Sequence, residues 1–379
     1  MIRHAFEFGP LAVWALMLLT VVRPLRLGRT ARAALALALL LASQKFLVYR
    51  IFGGDSFVPD LPERFVNFTG WAYSAAMLLF GLSCAWALLR ALCPPLRRPA
   101  ASRLALPALA ALSAAVAGWG IWEGVRVPDA RRVEVAVEGL PPAFDGLRVV
   151  HLSDLHCSPA ARRARTAGIV ARANALDPDL VCITGDFVDG SPAQRADDLA
   201  PLRDLKARLG VFGCAGNHEY YHDYRAWRPV LESFGVAMLD NAHRVLERGG
   251  ARLALGGVTD LAAADNPVRR MEATDVRRAF AGAPADACRI LLQHRPLLPA
   301  LNAAAGVRLQ LSGHTHGGAI LGLDRLVARM GNHGFVRGLY RVGPLALHVS
   351  PGTGQWAGFP LRLGVPAEIT EIVLRRPAR

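Results

Sequence analysis

Apolar residues run almost unbroken through the first third of the chain, and beyond it they come in short bursts that end in polar clusters. Four early apolar stretches stand out, at about residues 8–22, 33–50, 68–92 and 104–122. Each approaches the roughly 20 residues that an α-helix needs to cross a bilayer. Gln44 and Lys45 fall toward the end of the second stretch, where polar groups are expected to snorkel to the interface. Only Arg3 precedes the first stretch and a dense arginine cluster follows it, which favours a retained helix over a cleaved signal. Residues 1–126 are therefore read as a membrane domain of about four transmembrane helices.

From about Arg131 the pattern changes. RRVEVAVEGL, LRVVHLSDLH, LVCITGDFVDG, GVFGCAGNHEYY, ARLALGGVTD, CRILLQHRP, VRLQLSGHTHGG and LALHVSPGTG read as strands. ARRARTAGIVARANAL and PAQRADDLAPLRDLKARL, lying between strands, read as helices. This alternation predicts a layered α/β domain over residues 127–379. The polar clusters gather at the C-terminal ends of strands, where open α/β sheets place their ligands.

Five such strand ends carry side chains that bind metals. Asp154 and His156 are two apart, as are His314 and His316; Asp186, Asn217 with His218, and His294 follow three other apolar runs. Side chains two apart on an extended segment point the same way, so His314 and His316 are expected to face one point. The glycines around them let the backbone turn sharply and approach a ligand. Aspartate, asparagine and histidine together suit divalent transition metals. Two ions would need a bridging carboxylate, and isolated Asp186 is the natural candidate.

DLH, GDFVDG, GNHE, QH and GHTHGG occur in that order and resemble the five-block signature of the calcineurin-like metallophosphoesterases. GHTHGG with the later RGLY and VSPGTG resembles the YkuE-type branch, in which membrane helices ahead of the domain are a familiar arrangement. The resemblance implies a four-layer αββα sandwich from about Leu147 onward, preceded by an all-α transmembrane helix bundle. It implies two divalent metal ions, manganese, zinc or iron. Asp154, His156 and His316 would hold the first with Asp186; Asp186 would bridge to the second; Asn217, His294 and His314 would complete the second. His218 would stand near the leaving group as general acid, with Asp154 helping to orient it. Such a pair of ions clamps a phosphoester and generates a metal-bound hydroxide near neutral pH. Gly190 stands where the protein Ser/Thr phosphatases of this superfamily carry arginine, which removes support for a phosphoprotein substrate.

Charge and composition refine this picture. The formal charge of +14 invites a nucleic-acid reading, but Lys45 and Lys206 are the only lysines and no basic run with interleaved aromatics appears. Basic loops beside membrane segments account for much of the excess. Arg23, Arg26, Arg29 and Arg32 fill the first connection and Arg97, Arg98 and Arg103 the third, while Asp55, Asp60, Glu63 and Arg64 lie in the second. The positive-inside rule then makes the first and third connections cytoplasmic, and the catalytic domain extracytoplasmic, periplasmic in a bacterial cell. None of the six cysteines forms a C-x-x-C pair. Cys157, beside a candidate ligand, reads as a small packing residue. His151, His222, His243, His333 and His348 match no ligand block.

The expected function is a membrane-anchored, dinuclear metal-dependent phosphoester hydrolase, specifically a phosphodiesterase, with a lipid-linked phosphoester as a candidate substrate. GQWAGFPLRLG, with Trp356, Phe359, Leu361 and Leu363, is either core or a surface for a lipid tail. Two alternatives stand beside it: a nucleotide-linked lipid pyrophosphatase of the lipid A type, whose substrate is cytoplasmic, and a non-catalytic membrane receptor or transporter domain.

Overall fold

The computed structural model describes residues 2–265, 271–326 and 333–377. The chain divides into two units, Met1–Glu123 with Ala357–Leu361, and Gly124–Trp356 with Arg362–Arg379.

The first unit is helical. α1 (Ile2–Met17) runs on through a π turn and a 3-10 turn, so that one apolar segment of 22 residues extends over His4–Leu25. α2 (Arg29–Ser43) and α3 (Lys45–Gly53) follow, then α4 (Glu63–Leu92) and α5 (Pro99–Val125). Three segments are individually long and apolar enough to cross a membrane, and a fourth counts only if α2 and α3 form one span bent by 71°. The second apolar stretch is thus not one continuous helix, because Gln44 leaves the helical region at φ −96°, ψ 35°. Nor do Gln44 and Lys45 snorkel. Both are buried, Gln44 donating to Ser43 Oγ and Lys45 donating through Nζ to the carbonyls of Ala357 and Gly358. A buried ammonium needs such partners, and these lie within the same unit. Met17, Val21, Val22, Leu39, Ala76 and Leu79 pack between the helices, while Leu41, Phe68, Leu92 and Leu104 face outward as bilayer-contacting residues would.

Among the described residues the second unit contains two six-stranded sheets. The strands are β1 (Asp129–Ala136), β2 (Arg148–Leu152), β3 (Leu180–Thr184), β4 (Val211–Cys214), β5 (Val236–Met238), β6 (Ala242–Arg248), β7 (Ala251–Gly257), β8 (Cys288–Leu292), β9 (Val307–Ser312), β10 (Gly338–Val342), β11 (Leu345–Val349) and β12 (Glu368–Arg375). The first sheet has the order β1-β12-β2-β3-β4-β5 and the second β10-β11-β9-β8-β7-β6. β2, β3, β4 and β5 are mutually parallel, as are β7, β8, β9 and β11. Parallel neighbours place their C-terminal ends on one edge, and that edge carries the candidate ligands.

Period-two alternation divides the apolar residues between layers. Val149, Cys182, Leu255, Ile290 and Leu311 belong to the core shared by both sheets, whereas Val150, Val181 and Ile183 join the core beneath the helices of the first sheet. Those helices are α6 (Arg163–Ala175), α7 (Pro192–Leu199), α8 (Asn217–Tyr221) and α9 (Tyr224–Ser233). α10 (Ala262–Asp265) follows β7, and two short helices, α11 (Val276–Ala279) and α12 (Pro299–Ala304), cover the second sheet, which completes the four-layer αββα arrangement. The basic helical pattern after Pro192 stops early, since Ala200–Asp204 tightens into a 3-10 turn.

Trp227 on α9 is fully buried, and its Nε1 donates to the Gly190 carbonyl at 2.9 Å. Trp227→Ala is expected to cost about 3–5 kcal/mol. Denaturant unfolding of the full chain in detergent checks this, and an unchanged midpoint would contradict it.

Candidate metal centre

The sequence expectation of extended delivery does not hold. Asp154, His156, Asp186, His314 and His316 have φ values of 52°, 42°, 52°, 68° and 48°. Five of the seven candidate ligands therefore sit in the left-handed region, which Asp, Asn and His enter more readily than other non-glycine residues. The strand ends do not fray to reach it. Past β2 and β3 the ladder continues, with Asp154 N donating to Gly185 O and His156 N to Asp186 O. Glycines allow these turns to interlock. A Cβ on Gly313 would collide with Ser153 Oγ and Asp154 Oδ2, and one on Gly185 (φ 80°) would meet Gly216 N at 2.5 Å and His294 Nδ1 at 2.8 Å.

The left-handed turns send His314 and His316 to different places. His316 gathers with Asp154 and His156, and His314 with Asp186 and His294; within each set one ligand atom per residue lies within 4.8 Å of the others. His156 Nε2 and His316 Nε2 are 3.1 Å apart, and His314 Nδ1 and His294 Nε2 are 3.2 Å apart. Asp186 stands between the sets, its Oδ2 at 3.6 Å from His156 Nε2 and 3.2 Å from His294 Nε2. Its other oxygen accepts the backbone N–H of His218 at 2.9 Å. Asn217 opens α8 beside them.

Groups outside the ligand set hold these side chains. Asp189 accepts from His218 Nδ1 at 2.5 Å and from His156 Nδ1 at 3.2 Å, so both imidazoles keep Nδ1–H. His294 Nδ1 donates to the Thr184 carbonyl at 2.7 Å. For His156 and His294 this reserves Nε2 for the centre, where the neutral ring would offer a metal its lone pair. Glu219 accepts from the backbone N–H groups of Asp186, Phe187 and Gly216 and ties the β3 and β4 loops together. Arg362 is fully buried, and its Nη2 donates to the carbonyls of Pro351 and Gly354 and lies 3.3 Å from His316 Nδ1. Asp189 and Glu219 belong to the quoted GDFVDG and GNHE blocks without having been singled out. Arg362 had no sequence signal.

Electrostatics sort the histidines. Burial first, then a neighbouring imidazole, holds His314 and His316 well below the ordinary histidine value, so both are neutral. Burial disfavours charge on His294 as well, but Asp186 and Asp154 outweigh it and raise that group to about 10. Asp186 is pulled well below the usual carboxylate range, burial being outweighed by His294, His218 and His156. Burial raises the Cys157 thiol to about 12, which makes it inert packing, as the sequence suggested. His243 Nδ1 donates to the Ala279 carbonyl at 2.8 Å. His222 has its ring 6.2 Å from that of His218.

The donor set fits divalent ions. Asn217 is 5% exposed, and its Oδ1 has no hydrogen-bond partner among the described residues. A buried amide oxygen in that state costs free energy until something electropositive meets it. Nitrogen pairs about 3 Å apart also suit two ligands roughly 2.1 Å from one ion. Two ions at these sets would draw on Asp154, His156 and His316 at one and on Asp186, His294 and His314 at the other.

A family model described as calcineurin-like phosphoesterase matches residues 147–318. This chain carries a calcineurin-like metallophosphoesterase domain. It is 36% identical over 277 residues to the zebrafish (Danio rerio) "Transmembrane protein with metallophosphoesterase domain", covering 70% of this chain and 61% of that protein. It is 29% identical over 347 residues to an uncharacterized metallophosphoesterase of Campylobacter jejuni, covering 89% and 88%. The uncharacterized metallophosphoesterase YkuE of Bacillus subtilis is 27% identical over 242 residues, covering 62% and 82%. The chain thus spans about three-fifths of the vertebrate relative.

His218 supplies a test of the metallophosphoesterase centre. Burial works against its charge, but Asp186 and Asp189 prevail and raise it to about 9. Its protonated form is present below that pH and is lost as pH rises through it. Asp189→Asn removes one of the two charges, so the His218 titration moves to lower pH. Nitrogen-15 NMR of the metal-free chain measures this, and an unmoved midpoint would refute the Asp189 contribution.

Proposed function

We propose that this chain is a membrane-anchored, dinuclear metal-dependent phosphoester hydrolase acting on phosphodiesters. The observation that carries this reading is the position of Asp186 Oδ2, within 3.6 Å of imidazole nitrogens from both ligand sets. Bound there, two divalent ions of the manganese, zinc or iron type would supply Lewis acidity toward the phosphoryl oxygens and a water acidic enough to attack at neutral pH.

The protein's own residues do the rest. Asp154 and Asp186 contribute negative charge to the site, and His156, His294, His314 and His316 contribute lone pairs. Asp189 holds Nδ1–H of His218, which leaves Nε2 as the nitrogen that gives a proton to the departing alkoxide. Trp356 lies beside this group, its ring 5.9 Å from that of His218 at 71°, and the exposed Tyr221 lies 5.4 Å away. An aromatic rim next to the general acid supports a substrate with an apolar leaving group, which is the form in which the lipid-tail reading of Trp356 survives.

The arginine distribution supports an extracytoplasmic catalytic domain. Were the bent pair α2 and α3 to re-enter on its own side, the clusters at Arg23–Arg32 and at Arg97–Arg103 would fall on opposite faces, against the positive-inside rule. A crossing by the pair puts both clusters in the cytoplasm. That location argues against the nucleotide-linked lipid pyrophosphatase, whose substrate is cytoplasmic.

The test uses the full chain in detergent, stripped by chelator and restored with manganese, on an aryl phosphodiester and the matching monoester. Hydrolysis of the diester that returns with metal is expected. Asp186→Asn should lower it at least about a thousandfold, as losing a group that organises transition-state charge does, and should bind fewer than two ions. Unchanged rate and metal content would defeat the assignment. Trp356→Ala should lose activity on a micellar lipid diester more than on a soluble one; equal losses would remove the apolar-rim reading.

A further inference from the structure

His151 and His348 lie outside every ligand block, yet they are 0% and 1% exposed and face each other in the core of the sandwich. Their Nδ1 atoms are 3.1 Å apart. His151 Nε2 is 2.8 Å from Thr184 Oγ1, Thr184 Oγ1 is 2.8 Å from Ser153 Oγ, and Ser153 Oγ is 2.6 Å from Asp154 Oδ2. Four hydrogen bonds therefore join His348, on β11 of the second sheet, to a candidate metal ligand at the end of β2 in the first.

The direction of every bond follows from the acceptor end. With Asp154 ionised, as a metal ligand must be, Ser153 has one hydroxyl proton and its acceptors are the carboxylate and the Thr184 carbonyl at 3.2 Å, neither of which donates. Ser153 Oγ must then accept from Thr184, which spends the only threonine proton. Thr184 Oγ1 must accept from His151 Nε2–H. Burial keeps both imidazoles neutral, with the neighbouring His348 and then Arg131 as the lesser causes for the two rings respectively. A neutral His151 protonated on Nε2 has a bare Nδ1, which accepts from His348 Nδ1–H. One carboxylate thus dictates two tautomers, the more distant one on the opposite sheet.

We propose that His151 and His348 are positioning residues for Asp154, acting through Thr184 and Ser153 along this single-direction chain. The inference rests on reading Asp154 as a metal ligand. The chain holds Oδ2, and the backbone N–H of His314 approaches both oxygens at 3.0 and 3.1 Å. Oδ1 is left facing the first ligand set, 3.7 Å from His316 Nε2. A carboxylate free to rotate would present either oxygen, and ordering it in advance strengthens metal binding. The chain also spans both sheets, so the carboxylate is aimed by the sandwich as a whole rather than by its own loop.

Nitrogen-15 histidine NMR of the metal-free full chain in detergent reads the tautomers directly, with single His→Phe variants for assignment. Neutral rings protonated at His348 Nδ1 and His151 Nε2, with scalar coupling across the Nδ1–H···Nδ1 bond, are expected. His151 protonated on Nδ1 would overturn the proposal. Manganese titration then tests the consequence. His348→Phe should weaken binding at one of the two sites about tenfold, and His348→Asn, which keeps an N–H donor, should recover most of that loss. Equal losses in both variants, or none, would mean packing alone. If His348→Phe does not fold, the tautomers of the parent chain decide. Neither measurement uses a substrate, so absence of phosphodiester hydrolysis bears on the proposed function and leaves this inference standing.

Discussion

Five histidines and four carboxylates share a few ångströms of buried volume around Asp186, and the fold has to keep that density from tearing the site apart. Ionised carboxylates repel each other at such distances, and so do protonated imidazoles. The protein alternates them. His314 and His316 are held neutral, His294 and His218 are held charged against Asp186, and Asp189 is shared between two rings. A bound metal ion would change this balance, because a ligand must lose its proton in order to bind. The charges that stabilise the metal-free centre are those a cation would replace.

Geometry is stressed in the same place. A left-handed residue with a side chain costs about 1–2 kcal/mol. Five of them at strand ends are tolerated because the surrounding ladder and the Glu219 cradle fix the loops from several sides. Strain of this kind collects at functional sites when neighbours over-determine it. It also explains why glycines flank the ligands. Interlocked turns leave no room for a Cβ at Gly313 or Gly185.

Much of this was legible in the chain itself. Strands β2, β3, β4, β7, β8, β9 and β11 follow from apolar runs that end in polar blocks, since a strand buried on both faces has little else to show. β5, β6, β10 and β12 were not read. β5 is three residues long, β6 and β10 are largely solvent-facing, and the place of β12 is set by partners far away in sequence. The candidate ligands were legible because each lies where a strand stops. The pairing of His314 and His316 was not, because alternation assumes an extended backbone and theirs is left-handed. The broken second helix was hidden for a related reason. Hydropathy sees Gln44 and Lys45 as two polar residues, not as a bend with buried partners. Arg362 reaches His316 from 46 positions away, beyond any local pattern.

β12 lies between β1 and β2, pairing Thr370 with His151 and Asp129 with Glu368. During synthesis β2 emerges long before its neighbour exists, so one side of the strand that leads into Asp154 stays open until β12 arrives. Contacts this distant in sequence make folding slow. An early, half-built centre would bind metal poorly and expose an unpaired strand edge. Emergence of β12, rather than of the candidate ligand residues, is therefore the event that permits assembly. A polypeptide cut short before Glu368 would carry every ligand and still lack the strand that seats the first of them.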